Sequence, residues 1–212
     1  MKKINLIIIL FTVLINNFFF SNLLSQINSS IVIKVGQSLI TSIDIQNEII
    51  TNLIINKQQI TQANIDNNKQ YAIKNLINKT IKREEIEKYE IKNYNEKDLQ
   101  NYIIGIAKNL NTDPKGLEEI FNQTSLNYKV FTESYKTELL WNTLIYKLYK
   151  NQMNINIIEV ENEIKSIDSG KDETKVEAIK KNLLNQRKRE KLNLFSRSHF
   201  SNLENTIDVN FQ

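Results

Sequence analysis

The sequence predicts a mainly α-helical protein with one small β-sheet. Four glycines and one proline, Pro114, leave few places to turn a chain of 212 residues, so long helices must fill it. Apolar residues recur at helical spacing through most of the chain. Only two stretches read as strands, 31–40 and 207–211, one near each end of the expected mature protein.

Residues 1–25 come first and read as a secretory signal peptide. Lys2 and Lys3 form a basic start, Leu6 to Ile15 is almost wholly apolar, and cleavage is expected after Ser25. The apolar core is shorter than the ~20 residues of a spanning helix. An uncleaved membrane anchor is the competing reading. Residues 26–212 form one domain, with an N-terminal part over 31–167 and a closing helix and strand over 173–211.

The domain opens with the β-branched run Ile31-Val32-Ile33-Lys34-Val35. Gly36-Gln37-Ser38 makes a tight turn, since glycine tolerates the positive φ such turns need. Leu39-Ile40 returns as a second strand. Thr41 with Asp44 forms a capping box, and Ile45, Ile49, Ile50 and Leu53 follow at helical spacing. Residues 57–68 are polar and read as a loop.

A second helix is expected over 69–90, with Tyr71, Ile73, Leu76, Ile77, Ile81 and Ile86 as its apolar face. Lys82 to Lys88, with Glu84 and Glu85, reads as a solvated charged face. Asn95 caps a third helix near Glu96–Asn109. Asp113-Pro114 then restarts the chain, because proline at the first helical position gives up an N–H that has no partner anyway. A break falls at Thr124-Ser125. A long helix runs over 127–151 with Phe131, Tyr135, Leu139, Leu140, Leu144, Ile145 and Leu148 inward. A short helix covers Ile157–Ile167, and residues 168–172 form a hinge. The last helix covers 173–202, on Val176, Ile179, Leu183, Leu184, Leu194 and Phe195. Ile207-Asp208-Val209-Asn210-Phe211 alternates cleanly, as a half-buried strand does, and should pair with residues 31–35.

Composition excludes several chemistries. Without cysteine there is no thiol nucleophile, disulfide or cysteine metal site. His199 is the single histidine and reads as a surface or helix-end residue. The paired glutamates imply no cleft for acid–base work. No glycine-rich phosphate loop is present, so neither a nucleotide nor any other cofactor or metal is expected, and no enzyme activity. The formal charge is +4, and half of it lies in Lys2 and Lys3. That is no argument for nucleic acid, and the basic run 187–191 reads as the solvated face of an amphipathic helix.

In their order these segments resemble the SurA family of periplasmic chaperones, which escort unfolded outer-membrane proteins. IVIKVGQSLITSIDIQNEI is similar to the family's opening strand, turn, "hIT" and acidic first helical turn. YAIKNLINKTIKREEIEKY resembles its "LIDxxL…A" helix. Asp113-Pro114-Lys115-Gly116-Leu117 stands where the family starts a short helix, and Leu126, Tyr128 and Phe131 lie on its "LxYxxF/Y" pattern. IIEVENEI resembles the helix that leads into a parvulin domain. AIKKNLLNQRKREKLNLFSRSHFSNLENTIDVNF resembles the closing helix and strand. Between Ile167 and Val176 no parvulin isomerase domain has room.

The resemblance thus implies a SurA-type helical chaperone core, its small sheet made by strands 31–40 and 207–211, without an isomerase. It would be a periplasmic, ATP-independent holdase for unfolded outer-membrane proteins, with possible membrane association through residues 1–25. The alternative is a membrane-anchored scaffold or assembly subunit reusing the fold, and a weaker one is a peptidyl-prolyl isomerase. Tyr128, Trp141, Tyr146 and Tyr149 crowd one helix and cannot all face inward. They are the expected client-binding residues.

Overall fold

The computed structural model describes residues 30–167 and 173–212. The expected signal peptide and the 168–172 hinge lie outside the described residues. Strand β1 (Ile31–Val35) and strand β2 (Ser38–Thr41) form an antiparallel hairpin, with an irregularity between Ile31 and Ile33. Strand β3 (Val209–Phe211) joins β1 on its other side, also antiparallel, giving the order β2-β1-β3. Ile33 faces Phe211 and Val35 faces Val209, so the two ends of the domain meet in one sheet as expected.

The hairpin turn is built around Gly36, at φ +54°. A side chain there would be strained, and a Cβ would collide with the Glu84 carboxylate. That carboxylate accepts from the Gln37 and Ser38 backbone N–H groups at 3.0 and 3.1 Å and from Ser38 Oγ at 2.8 Å. Glu84 therefore ties the turn to the helix beneath it and does not lie on a solvated face.

Helix α1 (Ser42–Ile55) starts at the expected capping box. Thr41 Oγ1 accepts from the Asp44 N–H at 3.2 Å, and Asp44 Oδ2 accepts from the Thr41 N–H at 2.8 Å. Helix α2 (Gln62–Lys88) starts seven residues before the expected 69, within the stretch read as a loop. Thr61 caps it by accepting from the Asn64 N–H at 3.3 Å. Its first two turns are mostly polar and carry no apolar stripe, which hid them. Helix α3 (Glu96–Asn109) has the expected bounds and the Asn95 cap, and helix α4 (Pro114–Gln123) has the Asp113 cap. Helix α5 (Tyr128–Tyr149), helix α6 (Ile157–Ile167) and helix α7 (Glu173–Glu204) complete the set.

Three contiguous apolar clusters hold the layers together. The first packs Ile33, Val35 and Ile40 of the sheet on Ile45, Ile49 and Leu53 of α1 and Ala72 and Ile81 of α2. The second joins Ile86 of α2 and Trp141, Leu144 and Ile145 of α5 to Leu192 and Phe195 of α7. Phe200 and Leu203 touch both, so α7 closes one cluster on the other. The third sits where α3, α4 and the start of α5 meet, around Ala107, Leu117, Phe121, Leu126 and Phe131.

Glu85 and His199 depart from their sequence reading. Glu85 is buried, and His199 Nε2 lies 3.2 Å from its Oε1. His199 Nδ1 lies 2.9 Å from Tyr149 Oη. The imidazole therefore spans the Glu85 carboxylate on one side and the Tyr149 hydroxyl on the other. His199 is thus an internal bridge among α2, α5 and α7. Leu194, expected inside, is exposed.

Candidate functional site

A groove of about 410 Å³ runs between α1, α2 and α5, and Tyr102 of α3 lines it as well. Side-chain amides and hydroxyls line much of it: Asn47, Thr51 and Asn52 from α1, Asn75 from α2, Asn127 and Ser134 at the start of α5. Tyr71 and Val130 stand exposed beside them. Tyr71 was expected on the apolar face of its helix. It is 61% exposed, because the inward arc of α2 at this level is taken by Ala72, Ile73 and Leu76.

The charges in the groove are largely committed. Glu48, buried, receives both Lys79 Nζ, at 2.8 and 2.9 Å, and Asn75 Nδ2, at 2.5 Å. Glu138 receives Lys82 at 2.6 Å. Asp44 serves the α1 cap. That leaves Arg83 without an ion pair among the described residues.

Two features look inward without being used up. Tyr102 and Tyr135 stack face to face, centroids 3.4 Å apart at 4°. Burial raises the Tyr102 pKa most, helped by the Tyr135 phenol and Glu48; burial also leads for Tyr135, followed by Asp98 and Glu138. Asn52 Nδ2 is buried with no hydrogen-bond partner among the described residues, and an unsatisfied buried donor is costly.

The raised phenols give a pH prediction. A folded-state pKa above the unfolded value contributes stability that is fully present below about 10 and is lost as pH rises through the raised value. Ultraviolet titration should show a phenolate component that appears late and is reduced in Tyr102→Phe and in Tyr135→Phe. Thermal stability should fall over the same alkaline window.

The four expected client-binding residues are not brought together. Tyr128 is half-buried among Phe121 and Phe131, with centroids at 5.9 Å from each. Trp141 is 1% exposed, its Nε1 donating to Ser196 Oγ at 2.8 Å. It is a core residue, and this corrects the expectation that its ring is surface-facing. Tyr149 stacks on Phe195 at 4.8 Å and 3° and contacts His199. Tyr146 alone is largely exposed, and it does not line the groove. The groove's own residues, Asn52, Tyr71 and Tyr102 above all, carry no sequence signal beyond ordinary helix composition.

No family model matches this chain, and no curated protein matches it.

Proposed function

We propose that this protein is a periplasmic, ATP-independent holdase of the SurA type, without an isomerase domain, that binds extended segments of unfolded outer-membrane proteins. The resemblance of its ordered segments to that family motivates the reading. The observation that carries it is the groove between α1, α2 and α5, with the Asn47, Asn75 and Asn127 side chains in its wall. An unfolded chain presents a carbonyl and an N–H at every residue. Asparagine side chains both donate and accept, so a wall of them serves main chain regardless of sequence. Tyr71, Val130 and the Tyr102–Tyr135 stack add apolar contact at little entropic cost.

Length fits as well. The stretch of α1 from Asp44 to Ile55 along the groove is about 16 Å long, room for about five extended residues. Binding is weak and reversible, because ordering an unfolded segment offsets much of the contact energy. No nucleotide takes part.

Protein comprising residues 26–212 should suppress aggregation of a urea-unfolded outer-membrane β-barrel protein near stoichiometric ratio, equally with and without ATP. Val130→Glu, which puts a charge at the exposed lip, should weaken suppression while leaving the melting temperature almost unchanged. Aggregation that proceeds as in buffer alone would refute the reading.

A further inference from the structure

The outer edge of β3 offers a second binding surface of a different kind. Gly36 N–H donates to the Asp208 carbonyl at 2.9 Å and Gln212 N–H to the Val32 carbonyl at 2.9 Å. With Lys34 facing Asn210 between them, residues 208, 210 and 212 turn their main-chain groups toward β1. By the alternation of an antiparallel ladder, Val209 and Phe211 turn theirs away. Among the described residues no strand flanks β3 on that side.

Beside this edge lies an apolar trough of about 450 Å³, floored by Ile73, Ile77 and Ile81 of α2 and walled by Val209 and Phe211. Phe211 is 68% exposed. Lys74 and Glu204 also line the trough, and neither has an ion pair among the described residues. A fourth strand added to β3 would therefore meet the outward main-chain groups of Val209 and Phe211. Its inward side chains would meet isoleucines, and charges of both signs would lie within reach of its polar side chains. A globular partner or a small apolar molecule would leave the main-chain groups unused.

We propose that the β3 edge is a strand-addition site for an extended segment of another polypeptide with alternating apolar and polar residues. This goes beyond the holdase reading and does not rest on it. Phe211→Pro is the natural probe. Its N–H points away from β1, so proline removes no bond within the sheet, yet its ring obstructs an incoming strand.

The experiment titrates the purified protein with a capped peptide, Lys-Val-Thr-Val-Thr-Val-Thr-Lys, following amide exchange and chemical shifts. The expected result is protection of the Val209 and Phe211 amides. Affinity should fall about tenfold or more in Phe211→Pro, and likewise for a peptide N-methylated on alternate residues, with the melting temperature of the variant within a few degrees of the parent. Binding that ignores both changes, protection confined to another element, or a β3-dependent dimer of the protein that excludes the peptide would overturn the proposal. Phe211→Pro that still suppresses aggregation would leave the holdase reading intact, since the α1–α2–α5 groove is untouched.

Discussion

Trp141→Ala is expected to destabilise the protein by about 3–5 kcal/mol, the usual cost of emptying a large buried aromatic site. The indole is almost fully buried in the cluster that joins α2, α5 and α7. It packs edge-on against Phe200, with centroids at 6.1 Å, and lies 5.6 Å from the His199 ring. Its N–H holds Ser196, and Lys82 Nζ sits 5.8 Å from its ring. Removing it takes away the anchor of α7 and uncovers the Glu85–His199–Tyr149 bridge. A loss of this size lowers the melting temperature by about 10 °C or more in a domain of this length. Urea unfolding followed by circular dichroism measures it. Trp141→Phe, which keeps the packing but not the hydrogen bond, should recover much of the loss.

Deleting residues 207–212 is expected to cost about 4 kcal/mol. The segment brings Ile207 and Val209 against the first apolar cluster, where each half-buried side chain contributes about 1–1.5 kcal/mol. It also supplies the ladder to β1, including the bonds at Gly36 and Val32, each worth about 1 kcal/mol net. Its loss leaves the outer side of β1 unpaired, so the truncated protein should also associate more readily. Differential scanning calorimetry at several protein concentrations separates the two effects. A truncated protein as stable as the parent would show β3 to be a decoration and not part of the fold.

Features written in local residue order were legible before any coordinates. The Thr41–Asp44 box, the Asp113–Pro114 restart and the alternation of 207–211 each depend on neighbours within three or four residues. The pairing of β1 with β3 was legible too, because each strand has an apolar face and neither can bury it alone. Side-chain roles set by a distant element were not. Glu84 and Glu85 sit side by side in a charged run, yet one ties the hairpin turn and the other holds His199, 114 residues away. Periodicity shows that α5 has an inner stripe but not that its two halves face different neighbours. The first half faces Phe121 of α4, and the second faces Ile86 of α2 and α7. That turn puts Trp141 inside. Asn52 is one asparagine among many, and only the packing of three helices singles it out.

The central claim is that unfolded chain lies in the α1–α2–α5 groove, and site-specific photo-crosslinking tests it most directly. A benzoyl-phenylalanine in place of Tyr71 or of Val130, at the exposed lip of the groove, should couple to an unfolded outer-membrane protein. The same group in place of Leu194, exposed on α7, should not. Crosslinks from both lip positions and none from α7 are the predicted result. Suppression of aggregation with no crosslink at the lip, or equal crosslinking from all three positions, would contradict the account.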